Sequence, residues 1–194
     1  MGSLSDDRSG TIATPTLVVV SGPPGSGKTS VAHALGQAIA CPVICRDEIK
    51  EGMVHAYGDD FMPGVGDPLT RRAFPVFFEV LRVLLTAGVT VVAEAAFQDG
   101  NWRKGLEPLV GLAKVVVVQC SVEEAVARER IERRRATTAS RRAHADSQVL
   151  AREDPRAFAS FERLSIQVPS IVVDTTDGYA PGLEQIVAFV AARP

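Results

Sequence analysis

The stretch VVVSGPPGSGKTSVAHAL, residues 18–35, decides the fold because it joins three kinds of local structure in one run. Its first residues are apolar and β-branched, which is typical of a buried strand. Residues 22–29 are rich in glycine and proline and therefore predict a loop. Val31 and Leu35 then follow at helical spacing. The stretch predicts a strand, a glycine-rich loop and a helix, in that order.

The glycine-rich loop has the spacing G-x-x-x-x-G-K-[ST], which is typical of loops that bind nucleotide phosphates. Glycines allow backbone N–H groups to surround a phosphate, and the positive end of the following helix adds to the attraction. In this pattern Lys28 reaches the β- and γ-phosphates, and the Thr29 hydroxyl binds Mg²⁺. We therefore expect a site for ATP and Mg²⁺ at Gly22, Pro23, Pro24, Gly25, Ser26, Gly27, Lys28, Thr29 and Ser30.

The length and composition of the chain indicate one globular domain and exclude several classes of protein. Its 194 residues are 46% hydrophobic and 23% charged, with a formal net charge of −2. No apolar run is long enough to span a membrane, and the net charge gives no overall attraction for nucleic acid. Residues 1–15 lack the features of a signal peptide and predict a disordered head. Residues 16–194 then form the predicted domain, with no prediction of its oligomeric state.

Three cysteines, Cys41, Cys45 and Cys120, lie in or beside apolar runs. Their odd number and their spacing, which matches no common metal-ligand pattern, predict buried thiols in a reducing compartment. We therefore expect a cytoplasmic protein whose cysteines are structural and hold no metal ion.

Apolar runs alternate with segments of helical periodicity along the predicted domain. Strands are predicted at 16–21, 42–45, 89–95, 114–120 and 170–175. Helices are predicted at 27–40, 46–58, 69–87, 101–112, 121–135 and 147–164, with a last helix starting at Pro181. Near-continuous apolar strands separated by helices indicate a parallel sheet covered on both faces. The fold class is therefore α/β, with five strands in a three-layer sandwich.

The rest of the sequence narrows the type of nucleotide-binding protein. A GTPase would need an Asn-Lys-x-Asp motif to read guanine, whereas the only asparagine, Asn101, is followed by Trp102. An ATPase that drives movement would need an acidic residue at the end of an apolar strand, and Glu94 could serve. That interpretation stays open. A kinase needs a carboxylate beside the acceptor and arginines over the phosphates, and both have candidates.

The acceptor side of a kinase site has candidates just after the second and third predicted strands. Parallel strands end at the same edge as the phosphate loop, so Asp47 could accept a hydroxyl proton there or cap the next helix. Arg46 could contact the substrate or a phosphate. Glu94 could order the water around Mg²⁺ or bind substrate. Phe97 and Trp102 could line an acceptor pocket or belong to the core.

Two further segments are candidates for the nucleotide side of the site. Seven arginines fall between Arg128 and Arg142, and they suit a lid over residues 128–146 that closes on ATP and excludes water. Arg128 and Arg135 are seven residues apart, near one helical face, and we expect them to contact the phosphates. The segment DTTDGYAP, residues 174–181, could contact adenine through its backbone or form an ordinary turn.

Taken together, these segments resemble the small P-loop kinases. More narrowly, they resemble the group that contains polynucleotide 5′-hydroxyl kinases and chloramphenicol phosphotransferase. The resemblance lies in five segments of this chain, GPPGSGKTS, ICRDEIKEGM, TVVAEAAF, VVVVQCSVEEAVARERIERRR and IVVDTT. The resemblance implies a sheet with strand order 2-3-1-4-5, an Mg-ATP donor and an arginine lid at 128–142. The aspartate in the second-strand motif of polynucleotide kinases is their catalytic base, a role that here falls on Asp47.

These patterns leave three classes of function open. We expect a hydroxyl of a small molecule of the antibiotic, sugar or nucleoside type, because the chain is mildly acidic and places aromatic residues on the pocket side. A nucleic acid with a free 5′-hydroxyl is the alternative, since ICRDEIKEGM favours it. The third interpretation is a non-kinase ATPase or a nucleotide-binding switch.

Overall fold

Five parallel strands form one sheet in the computed structural model, which describes residues 13–57, 61–62, 64, 67–137, 161 and 163–192, without the side chains at 101 and 135–137. The strands are β1 (Thr16–Ser21), β2 (Val43–Cys45), β3 (Val91–Glu94), β4 (Lys114–Ser121) and β5 (Ser170–Asp174). Their order across the sheet is β2-β3-β1-β4-β5, and every neighbouring pair is parallel. The predicted α/β fold, its five-stranded sheet and its strand order are confirmed.

Helices cover both faces of this sheet. They are α1 (Lys28–Ala38), α2 (Arg46–Tyr57), α3 (Pro68–Thr86), α4 (Asp99–Val110), α5 (Glu124–Thr137) and α6 (Leu183–Ala191). Within the described part of the chain, no helix is both long enough and apolar enough to cross a membrane. Residues 1–12 of the predicted head at 1–15, the lid residues 138–146 and most of the helix predicted at 147–164 lie outside the described residues.

Strand β1 is buried on both faces, which explains its unbroken apolar sequence. Leu17 and Val19 pack into one core with residues of α3 and α4. Val18 and Val20 pack into a second core with residues of α1 and α6. This alternation follows from the two-residue period of a strand. A strand with two covered faces reads as a continuous apolar run, as predicted for a parallel sheet.

The C-terminal ends of the central strands lie at one edge of the sheet. Val20 of β1 and Cys45 of β2 both pair with Glu94, the last residue of β3. Strand β1 continues from this edge into the glycine-rich loop, and β2 continues directly into α2, whose second residue is Asp47. The parallel register therefore brings the loop, Glu94 and the first turn of α2 to the same edge.

Several of the predicted boundaries differ from the observed ones by one to three residues. The helix predicted from residue 121 begins at Glu124, because β4 extends to Ser121, which pairs with Asp174 of β5. The helix predicted from residue 101 begins at Asp99. Both shifts occur where tertiary contacts decide how far an element runs, and neither moves a residue away from the sheet edge that carries the site.

Candidate active site

The glycine-rich loop, residues 22–29, has the backbone conformation that phosphate binding needs. Gly25 and Gly27 have φ values of 77° and 69°, which side chains with a Cβ rarely adopt. A Cβ at Gly25 would lie 2.6 Å from the carbonyl oxygen of Ala127, so the loop also packs directly against α5. Gly27 is the N-cap of α1, and the positive end of that helix therefore opens onto the loop.

The remaining residues predicted to bind nucleotide lie in the turn of the loop or in the first turn of α1. The Ser26 amide donates a hydrogen bond to the Pro23 carbonyl oxygen at 3.2 Å. The buried Ser26 hydroxyl has no hydrogen-bond partner within the described residues. A Cβ at Gly22 would lie 2.5 Å from that hydroxyl and 2.8 Å from the Cys120 carbonyl oxygen, and this backbone contact favours glycine there. Pro24 is half-buried, and Ser30 is exposed in the first turn of α1.

Lys28 and Thr29 share one buried carboxylate, that of Glu94. The Thr29 hydroxyl donates to Glu94 Oε2 at 3.1 Å, and Lys28 Nζ lies 3.7 Å from Glu94 Oε1. Glu94 is only 2% exposed, and its burial raises the pKa of its carboxyl. The positive charge of Lys28 opposes this shift in the pKa, while the negative charge of Asp47 adds to it. A hydroxyl beside a carboxylate is an oxygen ligand set that suits Mg²⁺.

Asp47 and Arg46 lie in the first turn of α2, at the sheet edge that also carries Glu94. Arg46 Nη1 donates to Asp47 Oδ1 at 2.7 Å, and Arg46 Nη2 donates to the Thr70 carbonyl oxygen at 3.2 Å. Arg46 Nε is buried and has no hydrogen-bond partner among the residues described. The Asp47 side chain is 40% exposed and therefore accessible to a ligand. The sheet edge thus carries an accessible carboxylate close to a buried one.

A buried ion pair anchors this turn of α2 against α3. Lys50 Nζ lies 2.7 Å from Asp67 Oδ2, and the two side chains are 3% and 4% exposed. Asp67 also caps α3, because its carboxylate accepts from the amide and the hydroxyl of Thr70. Burial alone would raise the pKa of Asp67, but the hydrogen bonds from Lys50 and Thr70 lower it to about 2. Since Thr70 also accepts from Arg46, the pair connects through Thr70 to Arg46 and Asp47.

On the nucleotide side, Arg130 joins α5 to the glycine-rich loop. Its guanidinium donates to the Thr175 carbonyl oxygen at 2.6 Å and to the Thr175 hydroxyl at 3.2 Å, and lies 3.4 Å from the Gly25 carbonyl oxygen. The buried Thr175 hydroxyl donates in turn to the Ser26 carbonyl oxygen at 2.8 Å. A cavity of about 260 Å³ opens here, with Arg130, Arg133, Arg134, Gly178 and Tyr179 in its wall.

Among the described side chains, Arg130 rather than Arg128 contacts the loop. Arg128 pairs with Glu124 one turn earlier in α5, at 2.9 Å, and is not in the wall of this cavity. Arg135 belongs to α5, but its side chain lies outside the description. Arg130 and Arg134 are four residues apart and share a face of α5. A seven-residue spacing places residues near one helical face, but it does not show which face of α5 packs against the loop. For this reason the sequence did not predict the contact of Arg130.

Phe97 and Trp102, considered as acceptor contacts, lie in the hydrophobic core. Phe97 is fully buried, and Trp102 is 9% exposed. Their ring centroids are 4.8 Å apart, and both rings pack against Phe77 of α3. Phe97 has no exposed surface in this conformation, and Trp102 has little. The structure therefore places both rings in the core against α3, and their contact with an acceptor stays a prediction.

Comparison of the sequence with known families gives one match. A family model described as an AAA domain matches residues 17–158, which include the loop, Asp47, Glu94 and α5. No curated protein gives a significant match to the sequence.

Three solved structures illustrate the structural likeness. A candidate kinase from Chloroflexus aurantiacus is 23% identical with a TM-score of 0.77, and the match covers 91% of this chain and 97% of that chain. The APS kinase of Mycobacterium tuberculosis, solved with AMPPNP and APS, is 15% identical with a TM-score of 0.58 and coverages of 92% and 98%. A gluconokinase from Sinorhizobium meliloti is 21% identical with a TM-score of 0.55 and coverages of 92% and 92%. The shared feature is the P-loop kinase fold.

Proposed function

The chain belongs to the AAA domain family, and on this premise we propose that it is an ATP-dependent kinase that phosphorylates a hydroxyl of a small molecule. The antibiotic, sugar and nucleoside classes are the acceptors that the proposal includes. The observation that carries it is the convergence on Glu94. Lys28 and Thr29 of the glycine-rich loop contact this carboxylate, and the charge of Asp47 acts on it from the acceptor side.

Mg-ATP fits the donor side of this site. The left-handed glycines and the open N-terminus of α1 suit a chain of phosphates, which Lys28 would hold by its charge. Thr29 and Glu94 offer adjacent oxygen atoms that would hold Mg²⁺ or its water. Arg130 and Arg134 would close over the nucleotide from α5. When bound, Mg-ATP supplies the phosphoryl group that the acceptor receives.

Asp47 would remove the proton from the acceptor hydroxyl. The proton would pass to the Asp47 carboxylate while the hydroxyl oxygen forms its bond to phosphorus and ADP departs. The hydrogen bond from Arg46 fixes the direction of this carboxylate, and the Lys50–Asp67 pair holds the turn that carries both residues. Glu94 would not serve as this base, because it is buried and shared with Lys28 and Thr29.

The proposal is tested by a screen of hydroxyl compounds with Mg-ATP. Aminoglycoside and phenicol alcohols, sugars, nucleosides and a 5′-hydroxyl oligonucleotide would be supplied one at a time, and ADP release would be measured above the background rate. We expect at least one small molecule to raise ADP release and to appear as its phosphate monoester by mass spectrometry.

The same screen distinguishes the other classes of function. ADP release that no acceptor raises would support an ATPase or a nucleotide-binding switch. Phosphorylation confined to the oligonucleotide, with an apparent affinity that falls steeply as salt is added, would support a polynucleotide 5′-hydroxyl kinase instead. Either result would reject a small-molecule kinase.

A further inference from the structure

Three side chains with different ligand atoms meet where α1, β2 and α2 come together. His33 lies on α1, Cys45 ends β2, and Glu48 lies in the first turn of α2. A His ring nitrogen, the Cys45 Sγ and a Glu48 carboxylate oxygen all lie within 4.8 Å of one another. We name these three residues the His33–Cys45–Glu48 cluster. Its members are 12 and 3 residues apart in sequence, a spacing that matches no common metal-binding motif.

The distances within the cluster are close to those of a coordinated metal ion. His33 Nε2 lies 3.7 Å from Cys45 Sγ and 2.7 Å from Glu48 Oε1. Zinc bonds of about 2.0–2.3 Å in a tetrahedron separate neighbouring ligand atoms by roughly 3.3–3.6 Å. The His33–Glu48 hydrogen bond therefore needs to open by about half an ångström to admit an ion. His33 and Glu48 are half-exposed, so small side-chain rotations suffice, and solvent reaches the site directly.

The charges around Cys45 favour a cation. Glu48 belongs to the cluster itself, and Cys45 pairs with the buried Glu94 across β2 and β3, so two carboxyl groups lie near the sulfur. The two positive charges of a divalent cation would offset those of a Cys45 thiolate and the Glu48 carboxylate together. The cluster combines sulfur, imidazole nitrogen and one carboxylate oxygen, a donor set that suits Zn²⁺ and similar ions better than Mg²⁺.

We propose that the His33–Cys45–Glu48 cluster is a binding site for a divalent transition-metal cation of the Zn²⁺ type, with solvent as the fourth ligand. Binding forms bonds to His33 Nε2, Cys45 Sγ and Glu48, and the thiol proton is released to solvent. The site adjoins the expected Mg²⁺ site, because Cys45 pairs with Glu94 across β2 and β3, but the two sites share no ligand. The ion would tie α1 to the first turn of α2, next to Asp47.

Metal titration of the whole protein without nucleotide tests this site independently of any kinase activity. Metal-free protein would be titrated with Co²⁺, whose tetrahedral spectrum and thiolate charge-transfer band report a Cys ligand, and then with Zn²⁺ as a competitor. We expect one Co²⁺ per chain with a thiolate band, displacement by one equivalent of Zn²⁺, and no displacement by millimolar Mg²⁺.

Two variants and two matched controls identify the ligands. His33→Gln and Cys45→Ala should each weaken metal binding at least about tenfold, and Cys45→Ala should also remove the thiolate band. His55→Gln, on an exposed face of α2, and Cys41→Ala, outside the cluster, should bind as the wild type does. Wild-type protein without a thiolate band, or His33→Gln with undiminished affinity, would overturn the proposal. His33 is half-exposed, so His33→Gln is expected to fold.

Discussion

The Thr29 hydroxyl donates a hydrogen bond to the Glu94 carboxylate at 3.1 Å, linking the start of α1 to the end of β3. The two residues are 65 positions apart, and the parallel register of β1 and β3 brings them together. Because Lys28 contacts the same carboxylate, Glu94 connects the glycine-rich loop to the end of β3. Glu94 is therefore the first residue whose removal should affect the donor site.

Glu94→Gln should raise the Mg²⁺ concentration needed for nucleotide binding by about 10–100-fold. The amide keeps the shape of the side chain but loses the charge that would favour a metal ion beside Thr29. Affinity for a fluorescent ATP analogue, measured over a range of Mg²⁺ concentrations, checks this. Glu107→Gln is the matched control, because Glu107 is exposed and pairs with Arg103, away from the loop. An unchanged Mg²⁺ requirement in Glu94→Gln would remove Glu94 from the metal site.

Lys50→Met should lower the free energy of unfolding by about 3–5 kcal/mol. The change leaves the Asp67 carboxylate buried without its cation, and losing one partner of a buried pair costs more than the pair itself contributes. Urea denaturation measures the effect. Arg103→Met, which breaks the pairs of a half-exposed arginine with Glu107 and Asp99, should cost less than about 1 kcal/mol. Equal losses in the two variants would contradict the anchoring role of Lys50.

The stability of the protein should fall between about pH 4 and pH 2 because of Asp67. The pKa of Asp67 is lowered from 3.8 to about 2 in the folded state. The ionised carboxylate therefore gives its full contribution to stability at pH values above 3.8. That contribution, about 2 kcal/mol, is lost as the pH falls through the folded pKa. Asp67→Asn does not titrate and should show a shallower loss of stability over this range. If the wild type and Asp67→Asn lost the same stability over this pH range, the pKa of Asp67 would not be lowered by folding.

Arg130→Ala should weaken nucleotide binding more than Arg128→Ala does. Arg130 contacts the loop and Thr175 beside the cavity, whereas Arg128 pairs with Glu124 on α5. Losing a charged hydrogen-bond donor from the nucleotide side should weaken binding by about 10–100-fold. Isothermal titration with ATP analogues would compare the two variants. A larger loss in Arg128→Ala would restore the interpretation based on the seven-residue spacing.

Local sequence was sufficient for the glycine-rich loop and for the α/β class with its five strands. The conformation of residues 22–29 depends on glycines and on an adjoining strand and helix, all of which are contiguous in the chain. The strand order came from the resemblance to small P-loop kinases, and the observed order agrees with it. The edge position of Asp47 and Glu94 followed from the rule that parallel strands end together.

Features that depend on how two elements pack against each other were not predictable from local sequence. The rotation of α5 brings Arg130 to the loop, and the position of α3 buries Phe97. The Lys50–Asp67 pair joins α2 to the start of α3. The length of the segment between them does not predict that these two side chains meet. The His33–Cys45–Glu48 cluster likewise takes its members from three elements, so no spacing within the chain could indicate it.

The most direct test of the kinase proposal compares Asp47→Asn with the wild type, using the acceptor that the screen identifies. Both binding of Mg-ATP and phosphoryl transfer to that acceptor would be measured. We predict that nucleotide affinity stays within about twofold, because Asp47 lies on the acceptor side, while transfer falls by about 10²–10⁴-fold without its base. Phosphoryl transfer at the wild-type rate in Asp47→Asn would contradict the assignment of Asp47 as the base.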